Sequence, residues 1–171
     1  MELYETIRKR RSVRKYQKKE LPQELLCRLL EAGRMAPSAK NNQPWKFVVI
    51  KDETCKKQLA ICCKERMWIA DASVIIAAVA TNPDYRMGNG RPSDDIDLSI
   101  ALTHIMLAAA GESLGSCWIG SFDYDRVKAL LGIPEKFIIV SLLTIGYPAE
   151  VPMVKERKSL DEIVCYDRWS E

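Results

Sequence analysis

Across 171 residues, 26 Lys and Arg nearly balance 23 Asp and Glu, for a net charge of +3, which argues against the domain-wide basic stripe of a nucleic-acid binder. No apolar run reaches the roughly 18 residues of a membrane span, and the charged N-terminus lacks a signal-type apolar region. Six cysteines without scaffold spacing and a single histidine argue against a zinc site or a disulfide framework and read as reduced, cytoplasmic thiols.

The length fits one domain, residues 1–171. Leu3, Tyr4 and Ile7 predict a short amphipathic helix that ends near RKRRSVRK (8–15), where six of eight positions are cationic. Residues 1–20 sum to +5 and the other 151 to −2, so the excess charge is local. Pro22 suits the first position of a second helix. Leu25, Leu26, Leu29, Leu30 and Ala32 form its core-facing stripe, and Pro37 stops it. KFVVIK (46–51) reads as a strand and 53–64 as a helix capped by Asp52. Residues 73–81 read as a buried strand, and turn-rich 82–93 as a loop. Ser93 is placed as the cap of the longest helix, 94–113, which is apolar on more than one face and therefore central or shared with a second subunit. SCWIG (116–120) is a short strand. Asp123 caps a helix that Gly132 ends. Residues 137–146 are a buried strand closed by Tyr147-Pro148. In the irregular tail, Leu160, Ile163 and Val164 offer a small apolar surface. The expected layout is α+β, a central sheet of about four to five strands flanked by helices.

Four segments carry unusual chemistry. In extended backbone, Arg10, Ser12 and Arg14 would share a face, and two planar guanidinium forks with a hydroxyl suit a phosphate; a bare solvated surface is the alternative. Pro37 to Trp45 brackets Ser, Asn and Gln between two prolines, as a flat heterocycle with ring carbonyls requires, although such residues also make self-bonded turns. Gly120, after Cys117-Trp118-Ile119, permits close backbone approach to a ligand or is simply a turn. Lys155 and Arg157 could close a phosphate site from the far end of the chain, or belong to an exposed tail.

Taken together and in order, RRSVRKY, PSAKNNQPWKF, HIMLAAAGESLGSCWIGSFD, TIGYP and KERK resemble the nitroreductase family of FMN-dependent flavoproteins over nearly the whole chain. The resemblance implies a three-layer α+β fold and an interlocked homodimer with FMN at the interface. It implies that Arg10, Arg11, Ser12 and Arg14 line the phosphate, ribityl and pyrimidine side, with Arg14 near the N1/C2 edge. Pro37, Ser38, Ala39, Asn41 and Gln43 would border the ring from the other subunit. Trp118, Ile119, Gly120 and Ser121 would run beside the ring, the Gly120 region offering a backbone N–H near N5. Lys155 and Arg157 would complete the phosphate site. The implied activity is ping-pong hydride transfer from NAD(P)H through FMN to a nitroaromatic, quinone or similar small acceptor, with Arg14 and Gly120 closest to the chemistry. Many longer members have Glu-Gly where this chain has Gly120-Ser121, and a helical excursion where it has 82–93. A flavin protein with a specialised role in flavin handling, dehalogenation or oxidation is the alternative, and a basic-arm nucleic-acid module a more distant one. His104, mid-helix, and Cys117 are read as packing residues.

Overall fold

The computed structural model describes residues 2–170. Helix α1 (Leu3–Lys9) ends as Arg10 turns to φ −54° and ψ 129°. The extended backbone required for Arg10, Ser12 and Arg14 therefore starts at Arg10 itself. Helix α2 (Gln23–Arg34) begins one residue after Pro22, which is its N-cap. After β1 (Trp45–Ile50), Asp52 caps α3 (Glu53–Cys62), its carboxylate accepting from the Cys55 N–H at 2.8 Å. This helix stops two residues short of the expected 64, because Lys64 and Glu65 take positive φ values of 61° and 55°.

Strand β2 (Val74–Ala80) leads through the 82–93 loop to α4 (Asp94–Gly111). Ser93 holds the N-cap position of α4 but not the expected role: its backbone is already helical, at φ −95° and ψ −18°, and its side chain makes no capping bond. Strand β3 (Gly115–Ile119) is shifted one residue toward the N-terminus, leaving Gly120 just beyond its end. Asp123 caps α5 (Tyr124–Leu131), and Gly132 ends it at φ 63°. Strand β4 (Ile138–Gly146) completes the sheet.

The four strands lie in the order β1-β2-β4-β3, every pair antiparallel. Both faces are covered. Ile75, Ala77 and Val79 of β2 pack with Leu59, Ile69, Val127 and Leu142 on the α3/α5 side. Val74, Ile76, Ala78 and Ala80 pack with Leu26, Leu29, Leu98, Leu102 and Ile105 on the α2/α4 side. Two covered faces explain why β2 reads as an unbroken apolar run rather than the alternation of a half-exposed antiparallel strand. The result is the expected three-layer α+β architecture. Among the described residues no helix is long and apolar enough to cross a membrane, and the six cysteines are free thiols.

The basic segment is stitched onto this sheet. Ser12 bridges Ser116 of β3 in parallel, and the Val13 N–H donates to the Ser116 carbonyl at 3.0 Å. Tyr16 is buried; its hydroxyl donates to the Val13 carbonyl at 2.9 Å and lies 2.8 Å from Thr144 Oγ1. The approach at β3 is so close that a Cβ on Gly115 would fall 2.6 Å from the Val13 side chain. Gly115→Ala should therefore cost about 1–3 kcal/mol, as overpacking does, measured by denaturant unfolding. An unchanged midpoint would show that the segment yields freely.

Two surfaces are left bare. Along α4, Ile96 and Thr103 are exposed, and Ile100 and Leu107 only half-covered. Residues 153–170 are all exposed, including Met153, Leu160, Ile163, Tyr166 and Trp169. The small apolar surface expected at Leu160, Ile163 and Val164 exists but faces away from the chain's own core.

Candidate functional site

Arg10, Arg11, Ser12 and Arg14 share one cleft with Lys155 and Arg157, which arrive from the opposite end of the sequence. The cleft measures about 790 Å³, and Tyr4, Ile7, Pro152, Met153 and Val154 supply its apolar lining. That size suits a cofactor-scale ligand. Among the described residues, none of Arg10, Arg11, Arg14, Lys155 and Arg157 pairs with a carboxylate; Glu5, on the same cleft, is taken by Lys9. With Arg8, these five cations outnumber the one carboxylate on the cleft left unpaired among the described residues, Glu2, and a phosphate dianion would relieve their mutual repulsion while accepting their donors.

The members differ in posture. Arg11 turns back to donate to the carbonyls of Arg8 and Arg10, serving the exposed C-terminal end of α1. Arg14 is exposed, its guanidinium 3.3 Å from the Ser12 carbonyl. Beneath them Cys117 is 2 % exposed. Burial pushes its thiol pKa up, while Arg14, the Ser12 side chain, Arg10 and Arg66 act in the opposite direction. Arg66 therefore lies near enough to Cys117 to bear on its thiol. Arg66 follows the left-handed pair Lys64 and Glu65, a turn that the helical reading of 53–64 concealed.

The second cluster is the 37–45 loop, and one chain does not bring it to the cationic cleft. Pro37, Asn41 and Gln43 are exposed, Ser38 and Ala39 half-buried. The Gln43 N–H donates to Ser38 Oγ at 2.9 Å, and Gln43 Nε2 to the Asn41 carbonyl at 3.1 Å. Lys40, Asn41 and Gln43 all take positive φ, at 51°, 55° and 48°. Each such residue costs roughly 1–3 kcal/mol, and this strain gathers at ligand clamps. The loop is held from below by Asp97 of α4, whose Oδ1 accepts the Ala39 N–H at 2.9 Å. Asp97 Oδ2 is buried with no hydrogen-bond partner among the described residues. A buried orphan acceptor of this kind costs about 1–3 kcal/mol.

Trp118, Ile119, Gly120 and Ser121 continue from the β3 edge to which Ser12 is bridged, but they do not line the cleft itself. Gly120 is exposed, and a Cβ there would meet only the Trp118 indole, at an ordinary 3.6 Å. The chain's own packing therefore places no demand for glycine at 120. His104 is half-buried, with Nδ1 3.3 Å from the Ala32 carbonyl. Among the described residues no cluster of metal-ligating side chains occurs.

Reading the sequence missed Asp97, Arg66, Tyr16 and Thr144. Asp97 did leave a signal, since it shares the buried stripe of α4 with Ala101 and Ile105, an unusual place for a carboxylate.

Comparison with known proteins bears on the whole arrangement. The nitroreductase family model matches residues 7–73 and 56–147. A Methanothermobacter thermautotrophicus protein with the provisional name NADH dehydrogenase/NAD(P)H nitroreductase is 34% identical over 167 residues, covering 95% of this chain and 86% of its own length. Human iodotyrosine deiodinase 1 is 29% identical over 198 residues, covering 95% of this chain and 68% of its own. The crystal structure of a nitroreductase family protein from Clostridium difficile 630 superposes with a TM-score of 0.89 at 30% identity, covering 99% of this chain and 100% of that one. The sheet order, the two covered faces and the match over most of the sequence agree: this chain is an oxidoreductase belonging to the nitroreductase family.

Proposed function

We propose that this single-domain chain is an FMN-dependent NAD(P)H oxidoreductase acting as a homodimer. The observation that carries the reading is the cleft in which Arg10, Ser12 and Arg14 meet Lys155 and Arg157 without carboxylate partners. Bound FMN would supply the redox chemistry, relaying a hydride from NAD(P)H to a nitroaromatic, quinone or similar electron-poor acceptor.

The protein's part is binding and electrostatics. Arg10, Lys155 and Arg157 hold the phosphate, with Ser12 adding a hydroxyl donor. Arg11 steadies the end of α1 that forms one wall. Arg14 would place a positive charge near the bound ring, favouring its reduced form. Trp118, Ile119, Gly120 and Ser121 flank the ring, and the side-chain-free Gly120 lets backbone come close. Pro37, Ser38, Ala39, Asn41 and Gln43 cover it from a second copy of the chain. Their separation from the cleft within one chain, the bare apolar face of α4 and the exposed tail all support such a dimer. Bound FMN would serve the nicotinamide and the acceptor in turn at one shared site.

The test is an absorbance spectrum of the chain reconstituted with FMN, then anaerobic titration with NADH and NADPH. Bleaching of the flavin band by either nucleotide, and its return on adding a quinone, is the expected result. A chain that takes up no flavin refutes the reading. The deiodinase relatives favour a second reading in the same site, reductive loss of halide from an aromatic. Halide release from a halophenol by the reduced protein, without quinone turnover, would select it.

A further inference from the structure

Asp97 carries a cost with no visible return in the fold. Its carboxylate is 2 % exposed, one oxygen is spent on the Ala39 N–H and the other is left without a partner. An apolar residue of similar volume would remove the orphan. What the carboxylate does provide is a charge-assisted acceptor directly under a loop with three left-handed, non-glycine residues in a span of four positions. Ser38 Oγ, accepting from the Gln43 N–H, closes that loop upon itself, and among the described residues Asp97 alone ties its backbone to a helix through a side chain.

We infer that Asp97 is a positioning residue: from α4 it locks the 38–41 backbone into the shape that receives the flavin ring. The inference rests on the flavin reading above and deepens it. The strut sets the ring end of the site, as Arg10 sets the phosphate end. It acts through Ala39 and touches neither cofactor nor substrate.

The two ends are separable, because riboflavin carries the ring without the phosphate. Both flavins are titrated into the full-length chain and followed by fluorescence quenching. Asp97→Ala should weaken riboflavin and FMN by the same factor, about tenfold or more, as loss of a charge-assisted hydrogen bond implies. Asp97→Asn keeps an acceptor oxygen at the same place and should bind both as the wild type does. Asp97→Leu fills the volume and deletes the orphan, so its thermal midpoint should hold or rise while flavin affinity falls as in the Ala variant. A Leu or Ala variant that binds both flavins normally overturns the inference, as does one that loses FMN alone. Should neither variant fold, hydrogen exchange on the wild-type chain decides: the Ala39 amide is expected to be protected, and exchange at the open-chain rate overturns the strut. A wild-type chain that takes up neither flavin overturns the reading beneath it, a result distinct from any of these.

Discussion

Replacing Arg10 with Ala should weaken FMN binding by about 10- to 150-fold while riboflavin binding stays put. Arg10 stands where α1 gives way to extended chain, half-buried, on the cleft that Lys155 and Arg157 share. A hydrogen bond to a charged group contributes roughly 1.5–3 kcal/mol, which converts to that range of affinity. The loss should shrink as salt rises, because the wild-type contact is itself screened. Flavin content after gel filtration at low and high salt gives the same answer more simply. Equal losses for FMN and riboflavin would place Arg10 away from the phosphate.

Arg14→Met should make bound FMN harder to reduce, with a smaller effect on affinity. The Met side chain keeps much of the aliphatic volume and removes the charge. Reduction adds negative charge to the ring, so a nearby guanidinium favours the reduced form more than the oxidised one. Arg14 is exposed in the single chain, so solvent screens it and the expected fall in the two-electron potential is modest, about 30 mV, equivalent to ~1.4 kcal/mol. The reductive half-reaction should slow in proportion. A potential that does not move would remove Arg14 from the electrostatics of the ring.

The centre of the sheet was legible from sequence because β2 and β4 are buried on both faces, so 73–81 and 137–146 read as apolar runs bounded by turns, while the half-buried edge strand at 46–51 showed as the shorter run Phe47 to Ile50 between two exposed lysines. The helices were legible from their stripes and from Asp52, Asp123 and Gly132, each a local signal. Ser93 misled because a capping residue type is not a capping geometry: the backbone had already turned helical before the hydroxyl could serve. The cationic cleft was foreseeable from alternation at 10, 12 and 14, whereas alternation at 155 and 157 left an exposed tail equally open until the resemblance joined the two segments, since nothing local ties two ends of a chain. Arg66 and Tyr16 stayed hidden for the same reason. Beyond its local bond to Val13, Tyr16 reaches Thr144, 128 positions away.

With a second copy of the chain covering it, as proposed, the bare stretch from 153 to 170 would set how this protein responds to dilution. In the proposed dimer, a segment so little buried against its own body would take its order from contact with the second copy of the chain. The melting temperature should then climb with protein concentration by simple mass action. At nanomolar levels a protease should trim the carboxyl end first, and with Lys155 and Arg157 would go the grip on phosphate.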